Sequence, residues 1–85
     1  MLIDDNKIRI IKSMYQKGMR VKLRKMEDPY TDLKEGDEGT IEFVDDIGTI
    51  FVRWDNGSGL GLVVGEDSFE IMKYIKETLE NGKAN

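Results

Sequence analysis

The chain has 85 residues, enough for one small domain, and its 13 Lys and Arg against 17 Asp and Glu give a formal net charge of −4. It contains no Cys and no His, which excludes disulfides, thiolate nucleophiles, Cys-based zinc and iron–sulfur centres, and imidazole as a general base or metal ligand. The charge is uneven: residues 1–25 hold eight basic residues and two acids, residues 26–85 hold five basic residues and fifteen acids, and no acid stands between Lys7 and Lys25.

The start, Met1-Leu2-Ile3-Asp4-Asp5, is acidic where a secretion signal carries cations before an apolar stretch. The apolar runs are too short to span a bilayer. A cytoplasmic protein with no membrane partner is expected. Asp4, Asp5 or Asn6 can cap a first helix, because each side-chain oxygen can accept from a free first-turn amide. Ile8, Ile11 and Tyr15 recur at helical spacing, and Met14 extends that stripe. Lys7, Arg9, Lys12 and Lys17 fall on the other faces, with Lys17 in the last turn and Gly18 as a left-handed cap.

The period then changes to two. Met19, Val21 and Leu23 alternate with Arg20, Lys22 and Arg24, as in a half-buried strand with a basic outer face. Glu27 to Asp32 is turn chemistry around Pro29, and Lys34 to Gly39 forms a second turn. Two strands follow, each opening Gly-Thr-Ile at Gly39 and Gly48, and these read as the arms of one hairpin. Its turn is Asp45-Asp46-Ile47-Gly48, with Gly48 able to form a bulge. In the second arm Ile50, Val52 and Trp54 face one side, and Thr49, Phe51 and Arg53 face the other. Asn56-Gly57 signals a second hairpin, and Leu60 and Leu62 alternate with glycines in the next strand. Ser68 to Met72 reads as a last strand. Ile71, Ile75 and Leu79 fall at i, i+4 and i+8, which suits a short C-terminal helix.

The expected fold is mainly β: a helix over 1–18, a small five-stranded SH3-like barrel over 19–72, and a helix or tail over 73–85. The short Asp55-Asn56-Gly57-Ser58 link, too short for a helix, favours that form over an OB fold. The expected core is Val21, Leu23, Ile41, Ile50, Val52, Trp54, Leu62 and Ile71.

The segments Gly18-Met19-Arg20-Val21, Met26-Glu27-Asp28-Pro29-Tyr30 and Gly36-Asp37-Glu38-Gly39-Thr40-Ile41 resemble a family of small bacterial and phage proteins, domain of unknown function family 4314. So do Val44 to Ile50, Val52 to Ser58 and Leu60-Gly61-Leu62. Val63-Val64-Gly65-Glu66-Asp67 departs from the pattern, which has a Pro before the Gly. The resemblance runs from about Gly18 to Ile71. It implies an SH3-like barrel and a setting in prophages or mobile elements, and it implies no activity.

Carboxylates are the plentiful acid–base groups, but Asp45, Asp46 and Asp55 lie at hairpin tips, where Asp commonly bonds its own backbone. No calcium-loop pattern occurs, and the Gly57, Gly59 and Gly61 series precedes no helix, so neither a metal, a cofactor nor catalysis is expected. Trp54 is either a core residue or a binding platform at the rim. The leading reading is a non-catalytic adaptor module for a protein partner, with Tyr30, Phe51, Arg53, Trp54, Asp55 and Asn56 as candidate contacts. The alternative is a nucleic-acid-binding barrel using Lys7, Arg9, Lys12, Lys17, Arg20, Lys22 and Arg24. The basic segment also has a plain structural reading, in which it packs beside the acidic remainder and steadies it.

Overall fold

Alternation of apolar and polar residues builds this chain's sheet, and two of its glycines allow strands to approach or reverse where a side chain would not fit. A computed structural model describes residues 4–26, 28 and 31–74, with the backbone alone at 73 and 74. The expectations for Tyr30 and for a helix carrying Ile75 and Leu79 lie outside the described residues.

The elements are a helix α1 (Asp5–Met14) and strands β1 (Met19–Lys25), β2 (Glu38–Val44), β3 (Thr49–Trp54), β4 (Gly61–Val63) and β5 (Ser68–Tyr74). They form one antiparallel sheet in the order β4-β3-β2-β1-β5. The sheet is not closed: β4 and β5 are its edges, and an isolated Val64–Asp67 bridge lies within the connector that joins them. β5 runs two residues beyond the expected boundary at Met72.

Asp4 caps α1, its carboxylate accepting from the Asn6 amide at 2.9 Å. The helix ends earlier than expected. Its C-cap is Tyr15, in extended conformation, so Lys17 lies past the last turn and Gly18 is not the cap. Gly18, at φ +95°, instead reverses the chain into β1, where the Met19 amide donates to the Gln16 carbonyl at 3.1 Å. Ile8, Ile11 and Tyr15 are half-buried, and Tyr15 meets Phe69 of β5 with ring centroids 5.5 Å apart. Met14 does not join that stripe and is 54% exposed.

Val21, Leu23, Ile41, Ile50, Val52, Trp54 and Leu62 are buried in one cluster, with Leu33 added from the loop after β1. Ile71 departs from expectation at 41% exposed. It pairs with buried Val21, but it sits on an edge strand with no further strand beside it among the described residues. Gly39 is buried where β2 crosses β3. A Cβ there would lie 2.6 Å from Val52 Cγ1 and 2.9 Å from the Arg53 carbonyl, so this approach requires glycine.

The register slips by one residue between Ile41 and Phe43, a bulge in β2 at Glu42. Simple alternation would return Phe43 to the side of Ile41. The bulge instead sets Phe43 opposite Phe51 on the other face, and Val44 opposite buried Ile50.

Candidate functional site

The face of the sheet opposite the core divides into an ionic half and an aromatic half. In the ionic half, Arg20 projects from β1 between the ends of β2 and β3. Its guanidinium donates to both oxygens of Asp55, at 2.8 and 2.6 Å, to Glu38 at 3.1 Å and to the Thr40 hydroxyl at 3.0 Å. The hydrogen bonds from Arg20 hold the Asp55 carboxyl below the ordinary aspartate value, and the bond to Asp55 raises Arg20 above the ordinary arginine value. Further along β1, Arg24 pairs with Glu70 of β5. Lys22, half-buried, stands opposite Glu38 on one side and Glu70 on the other. The three cations expected to form a basic stripe therefore lie among carboxylates from three other segments of the chain. The geometry matches the plain structural reading of that stripe.

In the aromatic half, Phe43 and Phe51 stack with ring centroids 4.7 Å apart and planes 16° from parallel. Phe43 is 53% exposed and Phe51 is half-buried. Arg53, one pleat further along β3, is exposed and pairs with Glu42 at 3.1 Å. Beside them an open groove of about 330 Å³ runs between Lys17, Gly18, Thr40, Glu42, Phe43 and Arg53. Phe43 is the residue that sequence reasoning missed, because the bulge that turns it outward leaves no clear mark in the pattern of residue types.

The other candidate contacts separate. Trp54 is 2% exposed, and its indole nitrogen donates to the Leu60 carbonyl at 2.8 Å, so it is a core residue and presents no platform. Asp55 is engaged by Arg20. Asn56 accepts from the Ser58 amide at 2.9 Å and shapes its own turn. That turn places Gly57 at φ +95°, with the Gly57 amide bonded to the Trp54 carbonyl at 2.9 Å. Asp45 similarly accepts from the Ile47 and Thr49 amides at 3.0 and 2.8 Å.

On α1, Lys12 pairs with Asp46 at 3.0 Å, whereas Lys7, Arg9 and the following Lys17 are exposed. No group of three Asp or Glu side chains among the described residues could hold a metal ion. No helix among them is long and apolar enough to cross a membrane.

The chain matches one family model, described as a domain of unknown function (DUF4314), over residues 4–72. No curated protein matches it.

Proposed function

From the premise that the chain belongs to the DUF4314 family, we propose that it is a non-catalytic binding module that holds a protein partner against the outer face of its sheet. The observation that carries this reading is the stacked, solvent-facing Phe43–Phe51 pair beside Arg53 and the groove. Aromatic residues and Arg are enriched among the residues that dominate protein–protein binding energy. Such an exposed pair contributes little to the core, where the same two rings would be buried more fully.

The reading includes an SH3-like form for the sheet and a prophage or mobile-element setting. The strand order supports the first, since a four-strand meander has its returning fifth strand laid beside the first. Family resemblance supports the second. Nucleic acid ranks behind protein as a ligand because Arg20 and Arg24 already face carboxylates, and releasing them for phosphate would leave those carboxylates unpaired.

The test immobilises wild-type protein and two variants, Phe43→Ser and Arg53→Ala, and identifies captured host proteins by mass spectrometry. One protein should be enriched by wild type about tenfold over each variant, the effect of losing one hot-spot contact. Thermal melts of the variants should stay near wild type, because both side chains point away from the core. Equal capture by all three proteins would overturn the reading. So would salt-sensitive binding of DNA or RNA that both substitutions leave unchanged.

A further inference from the structure

We infer that the groove beside the Phe43–Phe51 pair takes an extended acidic segment of the protein partner, in which a carboxylate and an apolar side chain stand two positions apart. The inference rests on the protein-binding reading of this face and names the chemistry of what binds there.

Two cations line the groove from different elements. Lys17 lies in the turn after α1, is exposed, and has no ion pair among the described residues. Its turn is held in place, because the Gly18 amide donates to the Ile41 carbonyl at 2.9 Å, beside the bulge of β2. Arg53 comes from β3. It donates through Nη1 to Glu42 at 3.1 Å, and among the described residues its Nη2 and Nε have no acceptor. A guanidinium is a planar fork whose open edge matches the two oxygens of a carboxylate. The side chains of the groove thus bring two cations against the one carboxylate of Glu42, on a chain whose net charge is −4. The local excess of positive charge is complementary to an acidic segment.

The spacing along β3 sets the apolar half of the pattern. Phe51 and Arg53 stand two residues apart on one face of the strand, about 6.6 Å along its length. An extended segment repeats its own alternate side chains at the same interval. A carboxylate seated on Arg53 therefore sets the side chain two positions away over the stacked rings, where Phe43 is 53% exposed. The residue opposite Phe51 on β4 is Gly61, so no side chain blocks the pair from that side. Nucleic-acid bases could also stack on exposed rings. Their phosphates, however, would have to run past Glu42 and past Glu38 and Asp55 in the adjoining ionic half, and that repulsion favours a single carboxylate as the anion.

The experiment pans a displayed library of random linear peptides on the immobilised full chain, with Arg53→Gln as the counter-target. Enriched peptides should carry an aromatic or aliphatic residue and an Asp or Glu two positions apart. A synthetic copy of a selected peptide should lose about tenfold in affinity when its acid is replaced by the amide, and about tenfold on Arg53→Gln. The two changes together should cost little more than either alone, because they remove the same contact. Lys17→Gln should cost about threefold, as one exposed charge. Melts of both variants should stay near wild type, since both side chains are exposed. The amide-substituted peptide leaves the protein untouched and reads the contact independently of folding. Selected peptides without the acid, an acid-to-amide change without loss, fully additive losses, or no selection at all would each overturn the inference. Capture of a host protein that still requires Phe43 would then leave the protein-binding reading standing. Failure of that capture as well would overturn both.

Discussion

Arg20 places one guanidinium against Asp55, Glu38 and Thr40, so a single side chain ties β1 to the start of β2 and to the turn after β3. Asp55 is titrated more easily than its partner. Its folded-state pKa is depressed, so its contribution to stability is present above the unfolded aspartate value and is lost as pH falls through the lower folded value. Both partners are partly solvent-exposed, and screening keeps the contribution to about 1 kcal/mol or less. Asp55→Asn should therefore destabilise the protein by about that amount at pH 7, and the gap from wild type should narrow as pH falls below the unfolded aspartate value, as read from urea midpoints across pH. A second residue-scale prediction concerns Gly57, whose φ of +95° is strained for any β-branched residue. Gly57→Val should cost about 1–3 kcal/mol, visible as a lower melting temperature. The Gly57 position was legible because Asn-Gly between two apolar runs carries a turn mechanism. Arg20's partners were not legible, since a side chain's choice among distant carboxylates depends on strand register.

At the scale of elements, β1 carries the sharpest test of what the basic segment does. Reversing Arg20, Lys22 and Arg24 to Glu would face Glu38, Asp55 and Glu70 with like charges across the sheet. The triple variant should be markedly destabilised, by about 2–3 kcal/mol or more, with partial recovery at high salt. A melt within a degree or two of wild type would mean that these pairs do not hold the strand. The strands themselves were readable from period-two patterning, as Val21 and Leu23 or Ile50, Val52 and Trp54 illustrate. The end of α1 and the bulge at Glu42 were not. Helix termination depended on Tyr15 leaving the helix to meet the core and Phe69. The bulge depended on how two adjacent strands align, and that alignment decides whether Phe43 lines the core or the candidate site.

For the whole molecule, one core fills the inner side of the sheet, and seven of its eight buried members are legible from alternation alone, Leu33 being the addition. Leu33 was hidden because it lies in a loop, where no periodicity marks burial. A core this small tolerates little. Val52 is 1% exposed, and Val52→Asp would bury an unpaired charge costing several kcal/mol against a total stability of roughly 5 kcal/mol for a small domain. The variant should show no cooperative unfolding transition by circular dichroism. The candidate functional face was less legible than the core, because burial is imposed on a sequence by its period, whereas exposure of Phe43 is settled only when the elements have packed.

The neighbouring positions of β1 and β5 in the sheet have a kinetic consequence. The β2–β3 and β3–β4 pairings close over short loops, but joining Val21 to Ile71 closes a segment spanning most of the domain. Loop-closure entropy rises with the length enclosed, so the near-neighbour hairpins can form before the long closure is rewarded by contacts. β5 is then the last strand to dock and the first to leave. Conservative truncations there, such as Phe69→Leu, should steepen unfolding while barely slowing refolding, with φ-values near zero. Truncations at Ile50 or Val52 should slow refolding. The same strand would set the lowest opening free energy in native-state hydrogen exchange, so the protein's lifetime against proteolysis would be governed at its β5 edge, far along the chain from the hairpins that start its folding.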